Sequence, residues 1–146
     1  DKTWQLDIVG DGNDKEKIIK FSNDLGVKNV NFYPVQEPNQ FYKRAKLFIM
    51  TSCAEGFGNT LLEAQQFGCI PLAFDSFSVL HDIIIDNKNG FIIENDNIEQ
   101  YSNKLSELIN NPEILDSMVK FTMESTKRFD IEVIGPKWLE LLSQFN

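Results

Sequence analysis

Two glutamates, Glu55 and Glu63, are separated by seven residues, and the first is followed by Gly56-Phe57-Gly58-Asn59-Thr60-Leu61. Gly56 and Gly58 carry no Cβ, so backbone N–H groups there can approach a ligand closely. An apolar helical pattern opens at Thr60. The first amides of such a helix have no internal partners, and the helix dipole places partial positive charge on them. The stretch is built to hold an anion such as a phosphate. Plainer readings stand beside this one. Thr60-Leu61-Leu62-Glu63 also fits a capping box, which would make Glu63 structural. Glu55 could be a solvated loop carboxylate.

The elements around the stretch must place it. The apolar run Ala45 to Met50 enters the loop, and the helix that follows, Thr60 to Phe67, closes at Gly68. Strand, loop and helix N-terminus in that order mark the carboxyl edge of a parallel α/β sheet, where ligands bind. Strands are expected at Trp4 to Val9, Val30 to Tyr33, Leu47 to Met50, Ile70 to Phe74 and Phe91 to Ile93. Helical patterns lie between them. One runs from an N-cap at Asp14 through Ile18, Ile19, Phe21 and Leu25 to Gly26. Short ones cover Asn39 to Arg44 and Val79 to Ile85. From Ile98 the pattern is helical to the end, with Pro112 starting a second helix and Gly135-Pro136 interrupting a third. Alternating strands and helices predict one Rossmann-like parallel sheet of five strands, with helices on both faces and helices at the C-terminus. The later strands are continuously apolar, as doubly covered strands are.

Composition narrows the function. The 146 residues suffice for one domain with a core, and 42% apolar with 25% charged residues describes a globular chain. A net charge of −8 without a Lys/Arg cluster speaks against a nucleic-acid partner. No apolar run in these residues is long enough to span a bilayer, and none of them reads as a signal peptide. Cys53 and Cys69 have neither metal spacing nor a disulfide framework, so reduced thiols and a cytoplasmic location are expected. Gly10-x-Gly12 lacks the third glycine of a dinucleotide fingerprint, which speaks against NAD. It reads equally as a plain turn or a ligand loop. His81 has no visible nucleophile partner. Cys53 reads as a small packed residue, and Trp138 and Phe145 as packing residues of this or another domain.

Glu55-Gly56-Phe57-Gly58-Asn59-Thr60-Leu61-Leu62-Glu63 resembles the Glu-x7-Glu signature of retaining nucleotide-sugar glycosyltransferases of the GT-B fold, the group-1 or family-four class. The resemblance covers nearly the whole chain. Leu6-Asp7-Ile8-Val9-Gly10-Asp11-Gly12 resembles a strand of the donor-binding domain and its Gly-x-Gly turn. Asn29-Val30-Asn31-Phe32 resembles the next strand, with a loop near the nucleobase behind it. Phe41 to Ala45, Pro71 to Asp75, Asp82 to Phe91, Arg128-Phe129-Asp130 and Trp138 resemble the remaining units. Two departures stand out. The family's first strand-helix unit, with the Arg and Lys that contact the diphosphate, would precede Asp1. Asp75-Ser76-Phe77-Ser78 stands where many relatives have a glycine pair.

The resemblance implies half of a GT-B architecture. Residues 1–146 would be a donor-binding domain truncated at its N-terminal end, with the acceptor domain absent. It implies a hexosyltransferase that moves a sugar from a UDP- or GDP-sugar to an acceptor hydroxyl with retention, for surface polysaccharide or glycoconjugate synthesis. Glu55 would position the transferred sugar and act at the catalytic centre. Gly56, Phe57, Gly58, Asn59, Thr60, Leu61, Gly10 and Gly12 would bind the donor, and Glu63 its ribose hydroxyls. No metal or other cofactor is expected. The acceptor, a saccharide or a lipid-linked one, would enter through the missing domain, and peripheral membrane association of the full-length protein is compatible with that. The fragment alone is expected to bind donor weakly and to transfer nothing. A non-catalytic Rossmann-like nucleotide-binding or regulatory module and a nucleotide-sugar epimerase domain are the alternatives.

Overall fold

The computed structural model describes residues 4–145. Its elements are β1 (Leu6–Val9), α1 (Lys15–Asp24), β2 (Val30–Tyr33), α2 (Asn39–Tyr42), β3 (Leu47–Met50), α3 (Asn59–Gln66), β4 (Ile70–Phe74), α4 (Leu80–Ile83), β5 (Phe91–Ile93), α5 (Ile98–Asn110), α6 (Pro112–Thr126) and α7 (Ile131–Ser143). All strand pairings are parallel, with Leu6 opposite Val30, Leu47 opposite Ile70 and Leu72 opposite Phe91. The α/β class and the helices on both sheet faces are as the residue pattern predicts.

β4 shows how the layers form. All five of its residues are buried. Successive strand side chains point to opposite faces. Ile70, Leu72 and Phe74 join Tyr101 and Leu108 of α5 and Leu115 and Met118 of α6. Ala73, on the other face, joins Leu61 and Leu62 of α3 and Leu80 and Ile83 of α4. The apolar run is the consequence of two covers. Gly68 ends α3 with a left-handed φ of 84°, where Val119 of α6 lies 3.0 Å from the position a Cβ would take.

The structure departs from the expectation of one five-stranded sheet. The strands form two hydrogen-bonded sheets, β1-β2 and β3-β4-β5. β1 and β3 therefore each present an edge unpaired in the described residues. A groove of about 1770 Å³ takes walls from both, including Ile8 and Val9 on one side and Leu47, Phe48 and Ile49 on the other. Apolar patterning identifies strands, but it does not say which strands are neighbours. The halves are tied by Arg44, which donates to Asp7 at 2.6 Å and lies 4.8 Å over the Phe41 ring.

Smaller differences have local causes. Asp14 stands at the N-cap of α1 but makes no cap bond, because its carboxylate accepts from Lys17 at 2.7 Å. Gly135-Pro136 does not interrupt the last helix, since α7 runs through Pro136. The only bond a proline forfeits there is to the Glu132 carbonyl, and Glu132 is solvent-exposed, so water can replace the donor. Trp138 (58% exposed) and Phe145 (81%) do not pack into the domain core.

Candidate functional site

The site begins where β3 ends. Met50 is buried, and the chain then crosses a loop to Gly58, the N-cap of α3. Gly58 has φ 89° and ψ 41°, in the left-handed region. A Cβ there would lie 3.1 Å from the Phe77 ring and 3.3 Å from a Leu61 methyl. Conformation and space both require glycine. No side chain caps α3, so the amides of Asn59 and Thr60 open the helix without internal partners. The loop is held from below and from both sides. Leu61 and Leu62 sit in the core. The Ser76 hydroxyl donates to the Ser52 carbonyl at 2.6 Å. The Phe57 ring meets Phe129 edge-on at 6.0 Å. A fixed, uncapped helix N-terminus is an anion seat that needs little reorganisation.

Glu63 is not a capping residue. Gly58 takes the N-cap, so Thr60 already lies inside α3 and Glu63 one turn beyond the cap. Its carboxylate instead accepts a hydrogen bond from the Tyr42 hydroxyl at 3.3 Å. Burial and the neighbouring Glu63 charge push the Tyr42 phenol up to about 12, so it remains a donor at neutral pH.

Thr60, Glu63 and Gly10 line one groove, with Thr51 and Tyr42 between them. Glu55, Gly56 and Phe57 form the exposed loop beside it, and Asn59, also exposed, opens α3. Leu61 turns inward, fully buried, and its amide donates to Gly58 at 2.9 Å. Gly10 donates to the Tyr33 carbonyl at 3.1 Å, and Gly12 accepts from the Lys15 amide, so the Gly-x-Gly turn closes β1 and opens α1. Two neighbours of the site escape a sequence reading: Tyr42, which reaches Glu63 across 21 residues, and Phe77, which covers Gly58. Neither follows from local spacing. The aromatic pair Phe41-Tyr42, with four residues between it and β3, is the only local signal.

The surrounding charges are mostly paired. Burial favours the neutral form of Asp7, but hydrogen bonds from Asn31 and Arg44 outweigh it and hold the carboxyl below its ordinary range. His81 lies 2.8 Å from Asp75, both exposed at the carboxyl end of β4. Cys69 is buried, and its thiol, pushed up to about 11 by burial, lies 3.2 Å from the Tyr42 carbonyl. Cys53 is exposed and unpaired. Among the described residues no helix is long and apolar enough to cross a membrane.

Comparison with known proteins gives a consistent result. Residues 1–125 match the model of the family described as glycosyl transferases group 1. An uncharacterized glycosyltransferase of Haemophilus influenzae is 30% identical over 141 residues, 95% of this chain and 40% of that protein. A poly(ribitol-phosphate) alpha-N-acetylglucosaminyltransferase of Staphylococcus aureus is 32% identical over 146 residues, 98% of this chain and 30% of that protein. The fold matches a crystal structure of an S. aureus TarM mutant in complex with fondaparinux, alpha-GlcNAc-glycerol and UDP. The TM-score is 0.86 at 32% identity, covering 97% of this chain and 29% of that one. The chain thus spans well under half the length of these relatives.

Proposed function

The chain belongs to the group 1 glycosyl transferases, and from that premise we propose that it is the donor-binding part of an enzyme that moves a sugar from a UDP-sugar to an acceptor hydroxyl with retention. The observation that carries this is the uncapped N-terminus of α3, fixed under Phe77, one turn from the Glu63 carboxylate. The leaving diphosphate gains negative charge in an oxocarbenium-like transition state. The amides of Asn59 and Thr60 answer that charge, with no step assigned to a metal. Glu63 accepts from the ribose hydroxyls, since an ionised carboxylate is acceptor-only and fits a diol. Glu55, in the exposed loop, positions the transferred sugar. Glu55 and Glu63 together form the Glu-x7-Glu signature. The UDP held by the related TarM mutant favours uridine over guanosine.

A helix-dipole contact contributes only roughly 0.3–1 kcal/mol when exposed, so cations must supply more. We place them on a strand-helix unit that lies in the groove between the unpaired edges of β1 and β3 and joins both sheets into one. Free thiols fit action on the cytoplasmic side. The product class, surface polysaccharide or glycoconjugate, follows the named activities of the relatives, and the acceptor is a saccharide or lipid-linked saccharide bound outside these residues.

Calorimetric titration of UDP, GDP and their sugar conjugates into the full-length protein, beside Glu63→Ala, tests the reading. Binding of UDP compounds that weakens in the variant is expected. Absence of any nucleotide binding would return the chain to the regulatory-module reading. Interconversion of nucleotide sugars without acceptor would make it an epimerase.

A further inference from the structure

We propose that Tyr42 is a positioning residue that sets the orientation of the Glu63 carboxylate and thereby its grip on the donor's ribose. This rests on the reading of Glu63 given above. Tyr42 is only 7% exposed. Its ring is stacked on Phe67 at 5.8 Å and meets Phe48 edge-on at 6.0 Å. Its main chain is fixed as well, because its carbonyl accepts from the Cys69 thiol. The ring thus has little freedom, and the hydroxyl emerges at one point of the groove that Tyr42 and Glu63 share. There it donates to Oε2 of Glu63.

Glu63 is otherwise an exposed helix residue with several free torsions, and no second side-chain hydrogen bond to it is present among the described residues. An unheld glutamate would lose rotamer entropy when it engaged a diol. A phenol anchored in an aromatic box fixes one carboxylate oxygen before the ligand arrives and leaves Oε1 to the ribose. Such preorganisation raises affinity without adding a contact to the ligand. At 3.3 Å the bond is long for a hydroxyl donor, so it holds an orientation rather than adding much energy, and the raised phenol pKa keeps its proton in place.

The experiment compares wild-type full-length protein with Tyr42→Phe, Glu63→Ala and the double variant. Each is titrated with UDP and with 2′-deoxy-UDP, and donor KM and kcat are measured. Phenylalanine keeps the ring packing, and thermal melts check the fold. Tyr42→Met, which refills the same space, is read in the same way should the Phe variant not fold. Tyr42→Phe is expected to weaken UDP about three- to tenfold, the range for the net loss of one ordinary hydrogen bond. It should leave 2′-deoxy-UDP within about twofold, raise donor KM and spare kcat. The double variant should bind no more weakly than Glu63→Ala, because the two groups act as one unit. A UDP to 2′-deoxy-UDP preference that survives Tyr42→Phe but collapses in Glu63→Ala overturns the positioning role and leaves the site reading intact. A preference unchanged in Glu63→Ala overturns both.

Discussion

β4 and β1 are both short parallel strands of mostly apolar residues, yet every residue of β4 is buried and none of β1 is. β4 has α5 and α6 on one face, α3 and α4 on the other, and a strand at each edge. β1 has β2 at one edge and the groove at the other, and α1 contributes no buried residue. The comparison teaches where rigidity resides. The closed half carries the loop and helix that would meet the diphosphate. The open half contributes Gly10 to the groove. The proposed site is mounted on the part of the molecule whose central strand is covered on both faces.

The comparison is broken or sharpened most directly by paired truncations. Leu72→Ala removes a fully buried side chain between two helices and should cost about 3 kcal/mol. Ile8→Ala, at a half-buried position beside the groove, should cost about 1 kcal/mol in the same denaturation experiment. Equal losses would mean that the groove is not open in solution.

Gly58→Ala comes next. A left-handed non-glycine residue pressed on Phe77 should cost about 1–2 kcal/mol of stability. It should also weaken UDP binding in calorimetry. Gly56→Ala, which meets nothing within 4 Å, should do neither to the same extent. A smaller effect concerns the tie between the halves. The Asp7 carboxyl is held below its unfolded value, so its stabilisation is complete above that value, about 3.9, and is lost as pH falls through the lower folded one. Asp7→Asn should flatten the acid limb of the stability profile, and Asp7 titration by NMR should place its midpoint below that of an unfolded-chain peptide. The smallest effect lies on the closed half. Lys46→Met breaks an exposed ion pair with Asp116 and should change stability by less than about 1 kcal/mol.

Much of the local structure was legible because it depends on near neighbours. Val30 to Tyr33, Leu47 to Met50, Ile70 to Phe74 and Phe91 to Ile93 announce themselves as apolar runs and form those strands. Gly68 closes α3, and Pro112 opens α6. Pro136 misled because its missing hydrogen bond falls where water can replace it. Thr60-Leu61-Leu62-Glu63 satisfied the capping pattern, yet the cap falls two residues earlier, at Gly58.

The order of amino acids by itself determined the alternation of strand and helix, the double burial of β4 and the glycine-bearing entry to α3 between two glutamates. These follow from periodicities of two and about 3.6 residues and from the freedom of a residue without a Cβ. Tertiary structure alone decided that β1 and β3 do not pair, that Phe77 roofs Gly58, and that Tyr42 rather than a helix cap holds Glu63. Each of these joins residues far apart along the chain. Their distances are set by how layers pack, and no local pattern of residue types encodes them.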